Sequence, residues 1–171
     1  MKMLYTHHYR SPLGDILLAA DDEGLTGLWF TEGQKYMGRG LSAAAREWDM
    51  PVFCDVERWL DIYFSGKDPG FTPTLHLVGS VFRNRVGEIM LGIPYGKTMT
   101  YGEIARIIAN ERGIGHMSSR AVGGAVGKNP ISLIIPCHRV IGSDGSLTGY
   151  GGGLERKVAL LKLERSLECL L

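Results

Sequence analysis

A chain of 171 residues, 44% hydrophobic and 22% charged, has the composition of an ordinary globular protein with one good core or two small lobes, and this excludes a disordered or low-complexity chain. The formal net charge of +1 excludes a uniformly basic or acidic molecule, yet the charge is unevenly spread: seven Lys/Arg against eleven Asp/Glu from Met1 to Leu75, but six against two from Lys97 to Arg139. A basic block of this kind suits a phosphate-binding face or a solvated surface, and charge alone does not choose between them.

In chain order, Tyr5 to Phe30 contains short β-rich runs punctuated by Ser11-Pro12-Leu13-Gly14 and Asp21-Asp22-Glu23-Gly24, which predicts a small antiparallel sheet. Leu41 to Trp48 and Val52 to Phe64 read as helices, the second with Val56, Trp59, Leu60 and Tyr63 on one face. Ser65 to Gly70 is a turn and Phe71 to Leu77 a connector, which divides the chain into a supporting lobe, 1–77, and a second lobe, 78–171. In the second lobe, Val81 to Met90 is helical, and Thr100-Tyr101-Gly102-Glu103 has the Thr-x-x-Glu form of a capping box ahead of Ile104, Ala105, Ile107 and Ile108. A glycine-containing loop, Asn110 to His116, precedes another helix capped by Ser118 or Ser119 and running through Val126, so the pair is a helix-turn-helix candidate. That second helix holds Gly123, Gly124 and Gly127, each costing up to about 1 kcal/mol relative to alanine. Something must approach its backbone closely, either another helix or a nucleic-acid groove.

No apolar run approaches the roughly 18 to 20 residues of a membrane span, and the N-terminal residues lack the apolar stretch of a signal peptide, so the expected location is the cytoplasm. Cys54, Cys137 and Cys169 are widely separated and form no CxxC, which points to free thiols in a reducing compartment and no metal site.

The stretch Ile134-Ile135-Pro136-Cys137-His138-Arg139-Val140-Ile141 concentrates the chemistry. A lone cysteine between apolar residues is usually an inert core residue. An adjacent imidazole and cation are, however, what lowers a thiol pKa and activates it as a nucleophile. Proline before the cysteine favours extended backbone, so the segment reads as the end of a buried strand that delivers a thiol to a fixed place.

Arg120-Ala121-Val122-Gly123-Gly124, Asn129-Pro130 and Pro136-Cys137-His138-Arg139-Val140, preceded by "IPYGKTMTYGEIA" and followed by "GYGGGLERKVALLKLE", resemble the O6-alkylguanine-DNA alkyltransferase family, the methylated-DNA–protein-cysteine methyltransferases. The resemblance is strong over about residues 79 to 165. It implies an α+β fold: a small N-terminal antiparallel sheet with helices, ribonuclease H-like, and a mainly helical C-terminal lobe with a helix-turn-helix. It implies that Cys137 takes an alkyl group irreversibly from O6 of a flipped guanine, leaving O4-alkylthymine open as a second substrate. His138 acts as base through a water, Glu164 orients it, and Tyr101 sits beside the rotated phosphate and helps neutralise the departing guanine. Arg120 fills the gap in the base stack, and the helix containing Ala121, Gly123 and Gly124 lies in the minor groove. Asn129 braces the turn before the active-site segment, Tyr150 and Gly151 wall the alkyl pocket, and the carbonyls of Cys137 and Val140 receive the guanine amine. The implied partner is double-stranded DNA bound by a monomer, without cofactor, metal or membrane.

Two departures from the family pattern stand out. Gly87 falls where a bulky packing residue is usual, and Gly151 where some members carry a serine. Three other functions are distinguishable from this one: a lesion-binding protein without catalysis, which would lack the cysteine; a helix-turn-helix regulator, which has no need of Pro-Cys-His-Arg-Val; and a thiol hydrolase, which would turn over repeatedly.

Overall fold

The computed structural model describes residues 3–33, 46–47, 49–147 and 149–165, with Arg46 and Glu47 as backbone only. The expected hairpins form: β1 (Tyr5–Ser11), β2 (Gly14–Asp21) and β3 (Gly24–Phe30) are antiparallel, and β4 (Arg46–Glu47) adds to the outer edge of β1 in parallel. The sheet order is therefore β3-β2-β1-β4. Arg46 and Glu47 thus correct the helix expected over Leu41 to Trp48, because the open edge of β1 offers them backbone partners at Tyr5 and Thr6 that a local pattern cannot register. The rest of that stretch lies outside the described residues.

Both hairpins turn on local chemistry. At the β2–β3 turn Asp21 Oδ1 accepts from the amides of Glu23 and Gly24 at 2.8 and 3.2 Å. Gly24 has φ +152°, and a Cβ there would sit 2.8 Å from the Thr74 carbonyl, so no other residue fits without a shift.

β3 is buried at every position, and its free edge is taken by two later segments. Leu25 exchanges backbone hydrogen bonds with Thr74 and His76, while the Leu28 amide donates to the Pro130 carbonyl and the Ser132 amide to the Leu28 carbonyl. The connector and the chain just before Cys137 are thereby seated on one strand. α1 (Pro51–Phe64), with proline in its first turn, lays Phe53, Val56, Trp59, Leu60 and Tyr63 into the core, the face expected from the sequence.

Four further helices follow. α2 (Val81–Leu91) is capped by Ser80. α3 (Tyr101–Arg112) starts with a complete Thr100/Glu103 capping box, takes in the first three residues of the expected loop, and ends at Gly113 in the left-handed region, φ +63°. α4 (Ser119–Gly127) is capped by Ser118, which accepts from the amides of Arg120 and Ala121. α5 (Leu154–Leu163) closes the described chain. At Gly87 in α2 the missing bulk is replaced by Leu77 and Ile135, whose side chains stand 3.8 Å from where a Cβ would be.

The segment around Cys137 is not the strand expected. Asn129 gathers residues 131–135 into a knot: its Nδ2 donates to the carbonyls of Ile135 and Ile131 at 2.8 and 3.3 Å, and its Oδ1 accepts from the Ile131 amide at 3.1 Å. Leu133 is left-handed, φ +70°, and Cys137–Arg139 forms a single 3-10 turn. Only Val140–Ile141, β6, is extended, pairing in parallel with β5 (Met99–Thr100). The Asn129 side chain thus satisfies buried backbone groups of Ile131 and Ile135 and overrides the extended tendency of the β-branched run beyond the bridge of Ile131 to Leu28.

Candidate active site

Three structural units converge on Cys137. The 3-10 turn supplies the thiol, α3 and α4 supply one wall, and the loop before α5 supplies the other. A cavity of about 200 Å³ lies between them, lined by Tyr101, Gly123, Val126, Cys137, Tyr150 and Gly151 among others. Tyr101 is the first residue of α3, half-buried, and Tyr150 is buried. Burial and the nearby Cys137 push both phenols up, so both are proton donors at neutral pH.

Burial pushes the Cys137 thiol up as well, against the downward pull of the Asn129 side chain, the Lys157 charge and the backbone N–H groups of Cys137 and His138. The net direction corrects the expectation of a lowered pKa: the resting group is a thiol, which must lose its proton before it can act as a nucleophile. Desolvation outweighs the neighbouring cations because Cys137 is only 6% exposed.

Behind the thiol is a buried polar cluster. His138 Nε2 and Glu164 Oε2 are 2.5 Å apart, and Arg139 reaches Glu164 with Nε at 2.7 Å and Nη2 at 3.2 Å while Nη1 donates to the Ile93 carbonyl. The Gly96 amide donates to Glu164 Oε1, and Tyr63 Oη to Oε2. The His138 hydrogen bond and the guanidinium hold the Glu164 carboxyl down at about 2 despite burial. Burial lowers His138 despite its anionic partner, so it is neutral at rest, with Nε2–H donated to Glu164. Its Nδ1 is then a lone-pair acceptor, buried and without a hydrogen-bond partner among the described residues. A neutral base oriented by a carboxylate and adjoining a thiol can take a proton from a nucleophile.

Lys157 was missed in the sequence. It is wholly buried, and its Nζ donates to the carbonyls of Val140 at 2.7 Å and Gly149 at 3.1 Å. Desolvation lowers its pKa to about 8, with the neighbouring Cys137 acting in the opposite direction. The signal for it was present: Lys157, Leu160, Leu161 and Glu164 follow the three- and four-residue spacing of one helix face, so a lysine stands on an apolar stripe. The Val140 carbonyl therefore already accepts from Lys157 and that of Cys137 from the Val140 amide, each keeping one lone pair for another donor.

Arg120 and Ala121 are exposed at the start of α4, outside this cavity. Gly123 borders it, 3.9 Å from Tyr101 if given a Cβ, and around Gly124 and Gly127, the helix's own neighbouring backbone aside, no described atom lies within 4 Å of a built Cβ. Intrachain packing is therefore not what these glycines accommodate. Among the described residues the one group with metal-ligating potential is Asp21, Glu23 and His76, away from the cavity, where each ring nitrogen of His76 is occupied by a carboxylate.

A family model described as 6-O-methylguanine DNA methyltransferase, DNA binding domain, matches residues 81–166, and one described as its ribonuclease-like domain matches residues 4–77. The chain belongs to the 6-O-methylguanine DNA methyltransferase family. Among its relatives, the methylated-DNA–protein-cysteine methyltransferase of Methanosarcina acetivorans is 44% identical over 95% of this chain and 99% of its own length. That of Haemophilus influenzae is 41% identical over 96% and 88%. A crystal structure of Mycobacterium tuberculosis OGT in complex with DNA superposes with a TM-score of 0.76 at 42% identity, covering 96% of this chain and 93% of that one. In the methyltransferase family fold of this chain, no described helix is long and apolar enough to cross a membrane.

Proposed function

We propose that this chain repairs DNA by transferring a methyl or other alkyl group from O6 of guanine to Cys137, once per molecule. The observation that carries the reading is the placement of Cys137 at the wall of a cavity lined by two tyrosines and small residues, with the His138–Glu164 pair directly behind it. Family membership along nearly the whole chain supports the same chemistry.

In this mechanism the thiol proton passes through a water to His138 Nδ1, the sulfur attacks the alkyl carbon, and the carbon–O6 bond breaks with its electron pair remaining on oxygen. The guanine anion takes a proton, for which Tyr101 is the donor at hand. Glu164 balances the imidazolium, much as a buried carboxylate orients the histidine of other nucleophile–base–carboxylate sets. The product thioether is not hydrolysed, so the protein is consumed. No cofactor enters.

The target base reaches the cavity by leaving the duplex. α4 enters the minor groove of double-stranded DNA with Gly124 and Gly127 outward, Arg120 occupies the vacated stack, and the monomer binds with little sequence preference. The open space around those glycines supports this arrangement. The division at residues 77 and 78 separates a supporting lobe from the DNA-binding and catalytic lobe, and the protein acts in the cytoplasm.

The test is intact-protein mass and peptide mapping after incubation with a duplex containing O6-methylguanine. One methyl on Cys137 and none in Cys137→Ser is the expected result. Lesion-selective binding without methyl gain identifies a recognition protein instead.

A further inference from the structure

We infer that Tyr63, carried by α1 of the sheet-containing half of the molecule, is a positioning residue that sets how strongly His138 holds its proton, acting through Glu164. The inference rests on the transferase reading for its kinetic consequence, but its structural basis is independent of it.

Glu164 is oversubscribed. A carboxylate has about four lone-pair sites. Five donor atoms address this one: Tyr63 Oη, His138 Nε2 and Arg139 Nη2 at Oε2, and Arg139 Nε and the Gly96 amide at Oε1. Tyr63 Oη and His138 Nε2 stand equally close to Oε2, at 2.5 Å each, and 3.3 Å from one another. They compete for one oxygen. A phenol that donates to a carboxylate withdraws charge from it and leaves less to stabilise a proton on the imidazole.

The phenol cannot turn aside. Tyr63 is wholly buried, stacked on Trp59 with ring centroids 5.0 Å apart, and edge-on to Phe64, Tyr95 and His138. Burial and the Glu164 charge keep it protonated far above neutral pH, so it remains a donor throughout the range in which His138 titrates. The other groups that act on His138 are Arg139 on its own turn, Lys157 and Glu164 from α5 and its end, and the adjoining Cys137; Tyr95 faces Tyr63 from the turn before β5. Tyr63 is the contribution of the first half of the chain to this set.

The experiment uses the full chain with Tyr63→Phe, with 3-fluorotyrosine at position 63, and with Tyr95→Phe as a control. Tyr95 Oη is buried and has no hydrogen-bond partner among the described residues, so its loss removes no bond to Glu164. Two quantities are followed against pH: the nitrogen chemical shifts of His138 in DNA-free protein, and the single-turnover rate on an O6-methylguanine duplex. Tyr63→Phe raises the His138 protonation midpoint by about half to one pH unit, and the acid limb of the rate profile moves up with it. The fluorinated phenol, a stronger donor of nearly the same size, moves both the opposite way, which a packing defect would not do. Tyr95→Phe moves neither. Unchanged midpoints in both Tyr63 variants, or shifts of one sign in both, overturn the inference. A wild-type protein that transfers no methyl refutes the transferase reading instead, and the chemical shifts then decide on Tyr63 alone.

Discussion

Replacing Glu164 by glutamine keeps the size of the side chain and removes the charge that Arg139, His138, Tyr63 and the Gly96 amide all address. The folded carboxyl titrates at about 2 against an ordinary 4.5. At about 1.4 kcal/mol for each tenfold change in proton affinity, that difference is linked to about 3 kcal/mol of stability. The sign follows from the depressed value: the contribution is fully present above 4.5 and is lost as pH falls through 4.5 towards 2. Breaking the buried pair with Arg139 at neutral pH costs a comparable amount, about 3 to 5 kcal/mol, out of a total of about 5 to 15 kcal/mol for a domain. Urea unfolding followed by tryptophan fluorescence, repeated at several pH values from about 7 to about 3, measures both. Glu164→Gln should be markedly less stable near neutrality, and its stability should fall less steeply below pH 4.5 than that of the wild type. Parallel curves would show that Glu164 does not carry the charge linkage assigned to it.

Two other substitutions test the site. Lys157→Met removes the cation that draws the Cys137 thiol down, so the thiol midpoint, read from thiolate ultraviolet absorbance or the rate of iodoacetamide alkylation, should rise by about one pH unit, with alkylation about tenfold slower at fixed pH; an unchanged midpoint assigns Lys157 to holding the Val140 and Gly149 carbonyls alone. Arg120→Ala should slow repair in duplex DNA by at least about tenfold while sparing single-stranded substrate, since the cost of base extrusion is about a few kcal/mol and applies only to the duplex; equal losses on both substrates remove the flipping role.

Elements with a local code are legible in the sequence. The α3 cap was written in Thr100 and Glu103, the buried face of α1 in the spacing of Val56, Trp59, Leu60 and Tyr63, and the hairpins in their turn residues. Features that depend on distant partners were not. β4 exists through the edge of β1, and the fold of residues 131–135 is dictated by one asparagine side chain that overrides a β-branched run. In the site, the resemblance placed Cys137, His138 and Glu164, and the structure brings His138 and Glu164 into contact beside the thiol. It could not supply Tyr63, which looked like an ordinary core aromatic, or the upward direction of the thiol pKa, which is set by how completely the surroundings exclude water.

The span of the Glu164 cluster has a consequence for biosynthesis. Tyr63 and Glu164 lie 101 residues apart, and the strand edge that seats residues 130–132 is made near the beginning of the chain. While the polypeptide emerges from the ribosome, the sheet and α1 can fold early as a template, but the carboxylate that orients His138 arrives only with the end of α5. A nascent chain released before that point carries Cys137 and His138 without the carboxylate that holds the imidazole. On the proposed mechanism, alkyl transfer therefore waits until translation has passed α5, and chains truncated before it should transfer far more slowly than finished molecules.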